Sequence, residues 1–173
     1  LNGAIAELEA GRPVFGMFAT TEPQTLHQRI ATPYDVVLFD SEHTHFDPVD
    51  LRNGMAHLLD RRQILERGTL APAITPFVRI PANGCEKNQW QAKQALDLGA
   101  YGVVWPHIST VEEARNAVSA SRYPRPRDAE RHDPPGARGF GPSRAARYWG
   151  LSVPEYHRKA DTWPLDPEAR SWW

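Results

Sequence analysis

Four short apolar runs alternate with four segments of helical periodicity, and this alternation constrains the fold more than any other feature of the chain. The runs are residues 13–19 (PVFGMFA), 36–39 (VVLF), 73–80 (AITPFVRI) and 101–105 (YGVVW). Each is short, partly β-branched and bounded by polar or turn-forming residues, the pattern of a strand covered on both faces. Residues 23–31, 47–66, 86–98 and 110–121 space their apolar side chains along one helical face, with Trp90, Ala95 and Leu98 among the inward candidates of the third. Asp47-Pro48 opens the second helix with an N-cap and a proline at the first helical position. Gly99 stops the third, and Thr110 opens the fourth with a capping-box pattern. Strands separated by helices of this length pair in parallel, so the expected class is α/β, either a barrel or a doubly wound sheet. A further helix over 2–10, stopped by Gly11, precedes the first strand.

After residue 121 the pattern changes. Residues 123–142 are rich in proline and charge, end in the glycine-rich ARGFGP, and are expected to form one long loop. Two short helices over 143–149 and 153–161 follow, then the proline-broken TWPLDPEARSWW with Asn83-Gly84 as an earlier turn signal of the same kind. At 173 residues the chain has one domain's length, 1–173, and can bury a sizeable core. Its net charge of −1 gives no basic footprint for nucleic acid. No apolar run approaches the ~20 residues of a membrane-spanning helix. Glu7, Glu9 and Arg12 interrupt the opening segment, which therefore lacks a signal-peptide pattern. Cys85 is the only cysteine, so an intrachain disulfide is excluded and a reducing, cytoplasmic location is expected.

Chemistry concentrates where the strands end. The second run breaks into Asp40-Ser41-Glu42-His43-Thr44-His45, the third ends on Arg79, and the fourth is followed by Pro106-His107. In a barrel these ends converge on one rim. Imidazoles titrate near neutrality and can move protons. An arginine can hold a carboxylate or a developing enolate oxygen through two parallel hydrogen bonds. Nearby carboxylates attract divalent ions. Together these groups suit proton abstraction beside a carbonyl. Taken singly, Arg79 reads as a salt-bridged strand-end arginine and His107 as a loop histidine.

The phrases FDSEH, PFVRIP, QAKQALDLGAYGVVWPHISTVEEARNAV and ARGFGP, in this order, resemble those of the HpcH/HpaI aldolase/citrate lyase family. The resemblance implies a (β/α)₈ TIM barrel of which this chain covers the first four β/α units plus a proline-rich extension. It also implies a class II pyruvate aldolase, a carbon–carbon lyase that reversibly cleaves a 4-hydroxy-2-oxo acid to pyruvate and an aldehyde with a divalent metal (Mg, Mn or Co). On that resemblance His43 matches the catalytic base, Arg79 the residue that steadies the pyruvate oxygens, and Asp97 an aspartate that raises the histidine's basicity. Glu42 matches a glutamate that reaches the metal through water.

Asp97 stands in the last turn of a helix leading into the fourth strand, hence at the amino-terminal rim, whereas His43 follows a strand's carboxyl end. A pairing between them is then possible only between subunits, which predicts a homo-oligomer with Asp97 reaching a neighbouring site. The family's direct metal ligands, on the fifth and sixth strands, are expected beyond Trp173, and Glu155 and Glu168 are not at strand ends. Two other classes stay open. The pair His43-x-His45 would suit a metal-dependent barrel hydrolase if both lay on one strand. A metal-free member would serve as a non-catalytic interaction module.

Overall fold

A computed structural model describes residues 1–82, 87, 89–129 and 132–162. Four strands, β1 (Gly16–Ala19), β2 (Val36–Asp40), β3 (Thr75–Arg79) and β4 (Gly102–Val104), form one sheet in the order β1-β2-β3-β4. All three pairings are parallel, and the register sets Phe18 beside Leu38, Asp40 beside Arg79, and Arg79 beside Val104. A doubly wound sheet reverses its strand order at a switch point, whereas a barrel adds strands in sequence. The unreversed order is an arc of a barrel.

Alternation divides the sheet's two faces. Val37 and Phe39 of β2 and Val78 of β3 are sealed into the main core with Leu26, Leu51, Met55, Ala92 and Ala95 from the flanking helices. The residues between them, Leu38, Asp40, Phe77 and Arg79, are only half-buried and share the opposite face with Phe18, which is 56% exposed. Strand ends on that face carry the ionisable residues, because period-two alternation puts Asp40 and Arg79 on the same side as Leu38 and Phe77.

The helices follow their signals with two departures. α1 (Gly3–Glu9) is capped by Asn2, whose side-chain amide also donates to the Tyr101 carbonyl at 3.2 Å and so ties α1 to the start of β4. α2 (Pro23–Arg29) and α6 (Val111–Ser121) run as expected, the latter with the full Thr110–Glu113 capping box. The single helix expected over 47–66 is two. α3 (Pro48–Ala56) ends at His57, and α4 (Arg61–Arg67) restarts because the Asp60 carboxylate accepts from the amides of Arg62 and Gln63. In α5 (Gln89–Leu98), Ala95 and Leu98 face inward, but Trp90 is half exposed and packs edge-on against Phe46 at 5.9 Å. The Asn83-Gly84 turn, Cys85, the expected helix start at Glu86 and the tail from Trp163 lie outside the described residues.

Described residues within 123–142 contain neither helix nor strand, yet the segment is closely fitted. Its second half runs alongside α6 in the same direction, with the Ala137 amide donating to Ser119 O at 2.8 Å and the Arg138 amide to Arg122 O at 2.9 Å. α7 (Ser143–Tyr148) and α8 (Val153–Thr162) follow, and Trp149 and Tyr156 build a second core with Tyr101 and Tyr123. A β-carbon at Gly136 would stand 2.1 Å from the Tyr123 carbonyl oxygen, a contact with backbone that no rotamer change relieves. Gly136→Ala is therefore expected to destabilise the chain by about 2–3 kcal/mol, read as a lower urea midpoint with unchanged slope.

Candidate active site

The site begins with one register pair. Asp40 ends β2 and Arg79 ends β3 directly beside it, so their side chains meet above the sheet. Arg79 Nε donates to Asp40 Oδ1 at 3.0 Å and Nη2 to Oδ2 at 2.7 Å, a bidentate fork. Its third nitrogen, Nη1, lies 2.8 Å from Glu42 Oε2. The guanidinium also sits 4.7 Å from the centroid of the Phe18 ring, which brings β1 into the same cluster. Among the described residues, three of the five N–H groups of Arg79 thus face protein carboxylates, which leaves two for a bound anion.

Asp40 also organises the loop after its strand. Its Oδ1 accepts from the amides of Glu42 at 3.0 Å and His43 at 3.4 Å, and its carbonyl accepts from the Thr44 hydroxyl. The Arg79 hydrogen bond, helped by these two amides, holds the Asp40 carboxyl below the usual carboxylate range against the opposing effect of desolvation. The same partnership raises Arg79 above the usual arginine value.

Glu42 is the buried centre of the loop, its side chain only 6% exposed. One oxygen, Oε2, faces Arg79 and lies 3.6 Å from His43 Nε2. The other, Oε1, is 2.9 Å from His107 Nε2. Both imidazoles are largely exposed, so two rings able to carry protons stand at the rim of a carboxylate–guanidinium cluster. His45 turns away to Asp50 at 3.2 Å, bordering a cleft of about 440 Å³ between the ends of β1 and β2 that Phe18, Thr20, Arg29 and Asp40 also line.

The structure therefore brings His43, Glu42 and Arg79 together and keeps Asp97 apart. Asp97 lies in the last turn of α5, at the amino-terminal side of the sheet. Its Oδ1 accepts from Arg138 Nη2 at 2.8 Å and Nε at 3.2 Å, and its Oδ2 from Lys93 at 3.1 Å. Sequence reasoning placed Asp40 among the strand-end groups but did not pair it with Arg79, and it gave Phe18 no part in the cluster. It set His107 aside as a loop residue.

A divalent ion needs several oxygen or nitrogen ligands turned toward one point. Here Asp40 and Glu42 are turned toward Arg79, and among the described residues no three His, Cys, Asp or Glu side chains converge as a metal-binding group. These residues by themselves do not fit a metal's first coordination sphere. The pair His43-x-His45 lacks its required geometry as well, because β2 ends at Asp40.

A sequentially wound parallel sheet with ionisable groups gathered at the carboxyl ends of its strands is the layout of a (β/α)₈-barrel enzyme. The model of the HpcH/HpaI aldolase/citrate lyase family matches residues 15–135, and the chain belongs to that family. It is 33% identical over 157 residues to a hydroxypyruvate/pyruvate aldolase of Paraburkholderia phytofirmans, covering 90% of this chain and 50% of the relative. It is 30% identical to a 4-hydroxy-2-oxo-heptane-1,7-dioate aldolase of Shigella flexneri, covering 92% and 51% respectively. A family protein of known structure from Burkholderia cenocepacia J2315 superposes with a TM-score of 0.72 at 25% identity, over 94% of this chain and 56% of that one. The chain spans about half the length of the curated relatives it matches. Among the described residues no helix is long and apolar enough to cross a membrane.

Proposed function

We propose that this chain supplies the acid–base and oxyanion-holding part of a pyruvate aldolase site, acting on a 4-hydroxy-2-oxo acid or, in reverse, on pyruvate and an aldehyde. One observation carries the proposal: Arg79 is locked by Asp40 and Glu42 with two N–H groups to spare, beside the exposed imidazole of His43.

In the cleavage direction His43 takes the proton of the C4 hydroxyl. The C4–O bond becomes a carbonyl as the C3–C4 bond breaks, and its electron pair moves into the enolate of pyruvate. The spare N–H groups of Arg79 hold the oxygens on which that negative charge collects, a stabilisation that grows as the charge develops. The proton that His43 has taken is then delivered to C3 and completes pyruvate, so in the reverse direction the same imidazole removes a methyl proton. A divalent ion such as Mg, Mn or Co would add positive charge at the enolate oxygen. No group of direct ligands for it is met among the described residues, and in this reading Glu42 would reach it only through water.

Asp97 enters this scheme through a second copy. It stands at the opposite rim from its own chain's His43, so its influence on a histidine requires a homo-oligomer. Arg138 and Lys93 of its own chain fix the orientation of its carboxylate.

The test is exchange of the pyruvate methyl protons for deuterium, followed by NMR with magnesium or manganese present, since exchange reports enolate formation without an aldehyde. His43→Asn is expected to slow exchange by about 10²–10⁴-fold while leaving the fold intact. Exchange that proceeds unchanged in His43→Asn removes the histidine from its role. Absence of exchange in the unaltered chain, with no heat on titrating metal and pyruvate, favours the non-catalytic module.

A further inference from the structure

His107 is held more deliberately than a loop histidine needs to be. It follows the buried Trp105-Pro106 at the end of β4 and adopts φ +58°, in the left-handed region that non-glycine residues seldom occupy. Such backbone is kept when its surroundings define it, and it concentrates at functional sites. Here it aims Nε2 at Glu42 Oε1, 2.9 Å away, while the side chain itself stays 72% exposed. Burial of the ring therefore does not explain the conformation. Its effect is to reach across from the end of β4 to a carboxylate supplied from the end of β2.

We infer that His107 is a positioning residue of the site, acting through Glu42. This inference rests on the aldolase reading for its kinetic consequence, but not for its geometry. A neutral imidazole with its hydrogen on Nε2 donates to Glu42 Oε1 and fixes the rotation of that carboxylate. The second oxygen is then committed to Arg79 Nη1 at 2.8 Å and faces His43 Nε2 at 3.6 Å. Arg79 is thereby braced on both sides, by Asp40 and by Glu42, and its remaining N–H groups keep one direction. Without His107 the buried Glu42 carboxylate loses one of its partners and is free to turn, which loosens the brace while every group that touches substrate remains in place.

Two variants separate reach from backbone. Asparagine tolerates φ > 0 but is too short to meet Glu42, whereas glutamine carries an amide N–H to about the position of Nε2. His107→Asn is expected to lower the pyruvate exchange rate about 10–100-fold with KM for pyruvate changed by no more than about twofold, the effect of removing support behind a ligand-contacting group. His107→Gln is expected to recover most of the rate. An Asn variant at the unaltered rate, or a Gln variant no better than Asn, overturns the inference.

A second readout does not depend on turnover. Long-range ¹⁵N–¹H spectra of the full chain are expected to show His107 as the Nε2–H tautomer, with that preference lost in Glu42→Ala. If the unaltered chain exchanges no methyl protons, the aldolase reading fails on its own account and the tautomer still decides the positioning role. A mixed tautomer unaffected by Glu42→Ala would overturn it.

Discussion

Arg79→Met is expected to reduce kcat/KM for the proposed aldol cleavage by about 10²–10³-fold, the range for removing a donor that holds a developing oxyanion. The same change is expected to lower Tm at neutral pH. Arg79 supplies the cation between Asp40 and Glu42, and methionine leaves two carboxylates uncompensated at the end of β2. The pH dependence separates this effect from simple loss of packing. Asp40 titrates below the usual carboxylate range in the folded chain, chiefly through Arg79, so between its folded and unfolded pKa values the unfolded chain binds more protons. Its contribution to stability is complete above the unfolded value of about 3.9 and is lost as pH falls through the folded one. Tm of the unaltered chain should therefore fall more steeply than that of Arg79→Met as the solution is acidified below about pH 4. Thermal melts of both across that interval check the sign, and parallel curves would remove Arg79 as the cause. Arg79→Lys is expected to recover charge but not activity, because a single ammonium cannot bond both Asp40 oxygens and Glu42 from one plane.

What sequence makes visible here is local, and what it hides is long-range. The four β/α repeats are legible because each needs only a short apolar run, a cap and a stop, as with Thr110 and Gly99. The break at Asp60 is equally local, an aspartate accepting two amides just as Asp47 does, but continuing apolar spacing through Leu58 and Leu59 masks it. Trp90 belongs to a helix face whose inwardness depends on Phe46, more than forty positions away in the chain, and spacing alone cannot supply that partner. In the site, the strand ends of Arg79 and of the loop around His43 can be read directly. The pairing of Arg79 with Asp40 depends on strand register, and the role of His107 depends on a backbone angle. Neither is written in residue type. The family resemblance adds His43, Glu42 and Arg79 as a group, and the structure brings them together through Glu42, which pairs with the Arg79 guanidinium and stands beside the His43 ring.

Arg138→Leu is expected to be the most destabilising substitution away from the proposed chemistry, at about 3–5 kcal/mol by urea denaturation. Arg138 sits in the ARGFGP stretch of the long loop and is only 4% exposed. Two of its nitrogens bond Asp97 Oδ1, its guanidinium lies 4.3 Å over the Tyr123 ring, and Tyr156 OH is at 3.5 Å. It therefore fastens residues 123–142 to α5 and to the second aromatic core at once. Leucine removes the cation and leaves Asp97 with Lys93 alone. It also shortens a side chain that lines a cavity of about 110 Å³ with Tyr123 and Tyr156, so the void grows as the charge goes uncompensated. The two causes are separable. If the stranded carboxylate dominates, adding Asp97→Leu to Arg138→Leu recovers part of the loss, and if the cavity dominates the double variant is no better than the single. Asp97→Asn keeps an oxygen for Arg138 and is expected to cost far less stability. Should Asp97 serve a neighbouring copy's His43, the asparagine variant would instead move the pH profile of pyruvate exchange in the oligomer. A loss below about 1 kcal/mol for Arg138→Leu would mean the loop is held by its backbone bonds to α6, and that the buried arginine is tolerated there, not required.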